Sequence, residues 1–338
     1  MRGMWAVVAN IALTALCWGV YGPVLHHGQA DLKSRLLPFI CVGVAYFVIA
    51  VVVPLIALQM FGEVGKWTKP GTLWSLAAGA AGAIGALGII MAFEQGGKPV
   101  YVMPLVFGCA PVVNTLFTMF MSKTFKEVNP KFLAGLVMVL AGAVMVLMYK
   151  PSAGGAKAGP AVPVNMMLVT FFVGATALAW GVYGPVLHKG QATMSGSKLR
   201  PLMCVGISYF VIAVLIPVGK LLVSPEGVFD GMGITWSLAA GAAGAIGALG
   251  IILAFNFGGK PVYVMPLVFG CAPVVNSFTE IFFLYKAEKL GTINPIFFGA
   301  LLLVAAGAVT VLIFAPRPSH KPAAAPVASS AKPAEQPA

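Results

Sequence analysis

Acidic residues are scarce in this chain: nine Asp and Glu in 338 residues, and Lys and Arg raise the charged fraction only to 9%. Soluble domains carry about 25%. With 59% hydrophobic residues and a mean hydropathy of +0.95, the composition excludes a water-soluble globule. The five cysteines, Cys17, Cys41, Cys109, Cys204 and Cys271, stand singly inside apolar runs. There is no CxxC and no His at ligand spacing, so they read as small buried hydrophobes and no metal site is expected. His26 and His188 occupy equivalent places in a repeat and are expected at opposite faces, where they could not share an ion. A Gly-rich loop followed by Lys-Ser or Lys-Thr is missing as well, so the chain cannot power itself from a nucleotide. No paired polar groups suggest embedded catalysis. Neither an enzyme nor a cofactor is expected. The net charge of +12 comes from Lys and Arg scattered between apolar runs; without a basic face it does not indicate nucleic acid.

What the chain has is long apolar stretches. A helix needs about 20 apolar residues to cross a bilayer, and ten such stretches recur, at roughly 4–24, 35–58, 72–93, 99–121, 131–149, 164–186, 200–220, 234–256, 261–284 and 296–315. The first has a partner at 167–185 and is expected to be part of the fold, not a leader. Residues 150–163, rich in Gly, Ala and Pro, read as a flexible linker, and 316–338, rich in Pro and Ala, as a disordered tail.

An internal repeat dominates the sequence. Residues 74–114 align with 236–276 without a gap, differing only at Met91/Leu253, Glu94/Asn256 and Gln95/Phe257. "WGVYGPVLHHGQA" from Trp18 recurs as "WGVYGPVLHKGQA" from Trp180, with His27 replaced by Lys189, and "CVGVAYFVIAVVVP" from Cys41 recurs as "CVGISYFVIAVLIP" from Cys204. The expected fold is an all-α integral membrane protein of ten transmembrane helices, with five-helix repeats at 1–149 and 164–315. Because five is odd, a half that starts inside is followed by one that starts outside, and the two are inverted, as in alternating-access transporters. With the N-terminus inside, the inner loops hold eleven Lys and Arg against eight outside, leaving out the distal tail. That bias places both termini in the cytoplasm.

The fourth and ninth stretches share "KPVYVMPLVFGCAPVVN". Tyr101, Pro104, Gly108, Pro111 and Asn114 or Thr115 fall on one helical face, as do Tyr263, Pro266, Gly270, Pro273 and Asn276. The prolines free the carbonyls of Val100 and Phe107, and of Val262 and Phe269. Such acceptors need a partner or a wet cavity, so these faces are expected to line a solute path. In the third and eighth stretches Gly79, Gly82, Gly85 and Gly88, and Gly241, Gly244, Gly247 and Gly250, come every third residue and permit close helix approach. Trp18, Tyr21 and Pro23, and Trp180, Tyr183 and Pro185, are expected at two gates, one toward each mouth. Ionisable groups within spans are functional candidates by default. Glu94 and Glu280, with neutral repeat partners Asn256 and Thr118, are therefore the coupling candidates.

Two five-helix halves, the Trp-Gly pairs Trp18-Gly19 and Trp180-Gly181, and Pro111 and Pro273 resemble the drug/metabolite transporter superfamily, most of all its EamA-like members, over residues 4–315. One departure stands out. Relatives often end their fourth and ninth helices in Gly-Glu four residues before the next proline; this chain has Lys126 before Pro130 and Gly291 before Pro295, with Glu127 and Glu288 out of register. The resemblance implies a secondary transporter with a cavity lined by helices 1–4 and 6–9, often an exporter. The expected partners are a small solute and the lipid bilayer of the cytoplasmic membrane; nothing in the sequence argues for an oligomer. Proton coupling would use Glu94 or Glu280. The alternatives are a sugar or polyol uptake permease of the same superfamily and a membrane scaffold without transport.

Overall fold

The computed structural model describes residues 2–123, 128–149, 164–284 and 293–314. The expected linker at 150–163, the tail at 316–338, and Lys126, Glu127, Glu288 and Gly291 lie outside them. The described residues form ten helices and no strand. They are α1 (Arg2–Leu32), α2 (Leu36–Phe61), α3 (Lys69–Glu94), α4 (Pro99–Ser122), α5 (Pro130–Met148), α6 (Met166–Thr193), α7 (Leu199–Val223), α8 (Gly231–Asn256), α9 (Pro261–Leu284) and α10 (Pro295–Phe314). Seven of them, α1–α4 and α6–α8, are long and apolar enough to cross a membrane. The protein is therefore all-helical and compatible with a multi-pass membrane protein.

The helices end where local chemistry requires. Thr68 and Asp230 cap α3 and α8 by accepting from Gly71 N and Gly233 N, the expected role of Thr and Asp at a helix start. At the other end of α3, Gly96 takes a left-handed φ of 84°. Gly96 N donates to Phe93 O, and Gly97 N to Ala92 O. This Schellman motif turns the chain at once into α4, and Tyr101 Oη donates back to Gly96 O at 3.3 Å. Gly258 and Tyr263 build the same turn between α8 and α9.

Each half packs through the other. The first helix of one half lies along the third of its counterpart, α1 on α8 and α6 on α3; α4 pairs with α9 and α5 with α10. Small residues make this possible. A side chain at Gly79 would collide with the backbone of Val205, and one at Gly241 with that of Val42. In hydrocarbon, where association relies on close van der Waals packing, such glycines let backbones meet. The second helix of each half, α2 or α7, contains a π-helical segment, Val48–Val52 or Phe210–Leu215. Pro54 and Pro217 follow directly; having no N–H, they leave the carbonyls four residues back unpaired, and the chain loosens into wider turns. The two π segments cross next to Gly43 and Gly206, each packed on alanine and valine of the opposing helix.

A Cβ at Gly247 would overlap the Trp18 indole, and one at Gly85 the Trp180 indole. Overpacking of this kind costs about 1–3 kcal/mol. Gly247→Ala should therefore lower the melting temperature in detergent, whereas Gly299→Ala, facing open space, should leave it unchanged or raise it. Equal melting temperatures for the two variants would contradict the tight fit of α1 on α8.

Candidate functional site

Between the helix pairs lies a small cavity where the halves meet. It is lined by Trp18, Tyr21, Tyr46, Gly82 and their repeat partners Trp180, Tyr183, Tyr209 and Gly244. Its volume of about 30 Å³ has room for roughly two waters. Trp18 and Trp180 stack with centroids 6.3 Å apart, and each meets the other half's tyrosine edge-on: Trp18 with Tyr183 at 6.0 Å, Trp180 with Tyr21 at 6.1 Å. Tyr46 and Tyr209 lie face to face at 3.6 Å. Phe269 stacks on Trp18 at 5.9 Å and Phe107 on Trp180 at 5.8 Å, and the two phenylalanines stack on each other.

The indoles are held by carbonyls of the glycine helices. Trp18 Nε1 donates to Gly244 O at 3.2 Å, and Trp180 Nε1 to Gly82 O at 3.1 Å. One turn earlier, Thr14 Oγ1 donates to Gly247 O and Thr176 Oγ1 to Gly85 O. Every contact has its counterpart at the repeat offset. Among the described residues the hydroxyls of Tyr21 and Tyr183 have no hydrogen-bond partner, although both residues are only 4% exposed. Leaving such a group unmet costs about 1–3 kcal/mol, and both of these line the cavity. No charged side chain lines the cavity.

The sequence candidates divide on this map. Trp18, Tyr21, Trp180 and Tyr183 converge on the cavity, and Phe107 and Phe269 stand behind the indoles. The expectation that the two Trp motifs sit toward opposite mouths is corrected: Trp18 and Trp180 stack directly on each other, 6.3 Å apart. Pro23 and Pro185 are buried inside α1 and α6 and do not line the cavity. Tyr101 and Tyr263 pin the turns before their own helices instead of facing a path. Pro104, Pro111 and Pro273 are buried in α4 and α9, away from the cavity lining; the Pro266 side chain lies outside the described residues. On this face Gly108 leaves a gap that Val304 of α10 fills. From these two helices it is Phe107 and Phe269 that stand next to the cavity, stacked on the indoles that line it. Asn114 and Asn276 tie the halves together, Asn114 Nδ2 donating to Pro261 O and Asn276 Nδ2 to Pro99 O.

Tyr46, Tyr209, Gly82 and Gly244 were not among the candidates as cavity residues. A tyrosine within an apolar run, present in both halves, was the available signal for the first two. Two loop carboxylates were missed as well. Glu226 accepts from Ser34 Oγ at 2.9 Å and from the backbone N–H groups of Arg35 and Leu36 at 3.2 Å. Its repeat partner Glu63 accepts from Ser197 Oγ and from Lys198 N at 2.6 Å and Leu199 N at 3.1 Å. Each half thus places a carboxylate on the N-terminus of the other half's second helix, where the helix dipole favours negative charge. Partial burial pushes the Glu226 carboxyl up, but hydrogen bonds from Ser34 and Leu36 and the Arg35 charge outweigh it and hold the group below its ordinary value.

The two ends differ in their ions. Arg35 pairs with both Glu94, at 3.3 Å, and Glu226, at 3.6 Å. These residues, with His26 and Gln29, line a vestibule of about 330 Å³. At the other end Arg200 pairs with Glu63 at 3.3 Å, and Asn256 replaces Glu94, donating to Gly196 O. Glu280 lies elsewhere, 2% exposed within α9. No His, Cys, Asp and Glu group among the described residues could hold a metal.

No family model and no curated protein matches this chain. Its fold is shared with solved structures. One, described only as the crystal structure of a protein, superposes with a TM-score of 0.58 at 18% identity and covers 91% of this chain and 97% of its own.

Proposed function

We propose that the protein is a secondary-active membrane transporter of the drug/metabolite type, moving a small solute through the Trp18–Trp180 cavity by alternating access. The observation that carries this reading is the cavity itself, built from matching residues of both halves, as transporters built from inverted repeats place their sites. In this reading all ten helices span the bilayer. Even α5 and α10, with 19 and 20 residues, reach about 30 Å at 1.5 Å per residue. The halves are inverted, both termini are cytoplasmic, and export is the favoured direction.

Aromatic walls with two free hydroxyls and no lining charge suit a neutral, flat solute that can accept or donate hydrogen bonds. The cavity as it stands is narrow, and equivalent residues of the two halves line it. A larger solute would enter as the Trp18–Trp180 stack parts. A sugar or polyol is the second reading, favoured by the unpartnered Tyr21 and Tyr183 hydroxyls, since sugars combine an apolar ring face for stacking with hydroxyls for hydrogen bonding.

The test is a solute screen by thermal shift on purified protein, followed by counterflow in liposomes. Solutes that raise the melting temperature should exchange across the bilayer, and Tyr21→Phe together with Tyr183→Phe should weaken their binding about tenfold, the value of roughly one hydrogen bond. If no solute binds or exchanges, the transport reading falls and a membrane scaffold takes its place.

A further inference from the structure

The two halves are near copies, yet a transporter needs one end to answer its surroundings differently from the other. The difference lies on one turn of α9. Asn276 Nδ2 donates to Pro99 O at 3.1 Å, which seats this turn against the start of α4. One turn on is Glu280, sharing a face with Asn276 and Ser277 by its four- and three-residue spacing. Glu280 is 2% exposed and Ser277 3%. Glu280 Oε2, Ser277 Oγ and Asn276 Oδ1 all lack hydrogen-bond partners among the described residues. The repeat offers the control: Asn114 is tied in the same way to Pro261 O, but Thr118 stands where Glu280 does, and a hydroxyl cannot change charge.

The surroundings of Glu280 are almost free of ions. Of the helices packed on α9, α8 and α10 contain no ionisable residue, α1 contributes Arg2, His26, His27 and Asp31, and α6 His188 and Lys189. From α4 the N-cap Lys98 acts electrostatically on both Glu280 and His26. Lys98 directly precedes Pro99, the residue that Asn276 binds, and His26 lines the Arg35–Glu94–Glu226 vestibule. A buried carboxylate is costly unless it is paired or protonated. Among the described residues Glu280 has no ion-pair partner within salt-bridge distance, and its Oε2 meets no hydrogen-bond donor.

We infer that Glu280 is a reversible proton site: its buried carboxylate takes a proton to become a neutral carboxylic acid that donates to Ser277. This rests on the transporter reading. Protonation then changes the charge at one end only, and a proton bound in one state of a two-state molecule shifts the balance between the states. It supplies the directionality that the near-identical aromatic cavity cannot.

The test uses the full purified chain and two readouts. Infrared difference spectra between pH 5 and pH 9 should show the C=O stretch of one protonated carboxylic acid. That band should vanish in Glu280→Gln and persist, displaced, in Glu280→Asp, the variant that guards against a fold defect. In liposomes, an imposed pH gradient should concentrate a solute found by the screen with the wild type. With Glu280→Gln the accumulation should fall at least tenfold while downhill counterflow continues. Absence of a Glu280-dependent band overturns the site, whatever the flux. A band that moves with Na⁺ at fixed pH overturns its assignment to a proton. A titrating Glu280 with unaltered gradient-driven accumulation in Glu280→Gln overturns its coupling role. Flux absent from every protein, wild type included, removes the transport reading instead, and the infrared titration alone then decides the site.

Discussion

Trp18→Ala and Trp180→Ala should each lower solute flux by tenfold or more, and by the same factor. Trp18 makes three ring contacts, to Trp180, Tyr183 and Phe269, and Trp180 makes the equivalent three, to Trp18, Tyr21 and Phe107. Aromatic pairs contribute about 0.5–1.5 kcal/mol each beyond area burial, and about 1.4 kcal/mol is a factor of ten. Losing three contacts is thus worth more than one decade. Either ring also forms half of the Trp18–Trp180 stack, so truncating one removes the shared contact. Counterflow in liposomes reads the effect. Trp18→Phe separates its parts: the stack survives while the bond to Gly244 O is lost, and about half of the loss in log flux should return. If the two alanine variants instead drive access toward opposite faces, the rings act at separate gates and their central stacking is not the functional contact.

That expectation reverses what the linear pattern suggested. The repeat, the helical content and the boundaries of most helices were legible because each rests on local information: apolar length, identical strings, caps such as Thr68 and Asp230. Where the two Trp motifs lie relative to each other is a tertiary property. In sequence they sit at equivalent places in two expected inverted halves, which suggests opposite mouths. In the fold each half's first helix packs on the other half's third, and the local two-fold brings equivalent residues together near the axis while leaving those far from it at opposite ends. Distance from the axis is not written in periodicity.

The proline face shows the same limit from the other side. Three-and-four spacing correctly groups Tyr101, Pro104, Gly108 and Pro111 on a helix, but it cannot say what that face meets. Gly108 admits Val304, and Phe107 beside it stacks on Trp180, which lines the cavity. Tyr46 and Tyr209 escaped notice because a phenol inside an apolar run resembles core packing; only the π segments after them and the Gly43–Gly206 crossing make the two rings meet. Glu63 and Glu226 looked like ordinary loop charges, and their partners on the other half are more than 130 residues away in the chain.

Those two carboxylates carry the second large effect. Glu63→Gln and Glu226→Gln should bias the protein in opposite directions, each loosening its own end. An amide oxygen still accepts one bond but loses the charge, and hydrogen bonds to a charged group are worth about 1.5–3 kcal/mol. Weakening by one such bond shifts a two-state balance by roughly ten- to a hundredfold. Cysteines at Leu25 and Leu187, both fully buried and equivalent in the repeat, report the two ends in a cysteine-free background. Glu226→Gln should speed thiol labelling at Leu25→Cys, and Glu63→Gln at Leu187→Cys. The larger response is expected at Glu63, whose side chain is 10% exposed against 27% for Glu226 and is less screened by solvent. Acid gives an independent check at the Glu226 end. Since its folded carboxyl is held below the ordinary value, the stabilisation it contributes is complete above the usual carboxylate range of about 4.3 and drains away as pH falls through the lowered value. Wild-type labelling at Leu25→Cys should therefore stay slow at neutral pH and accelerate only in acid, with Glu226→Gln lacking that step. Equal labelling of both reporters in both variants would mean that these contacts stabilise the fold without latching either end.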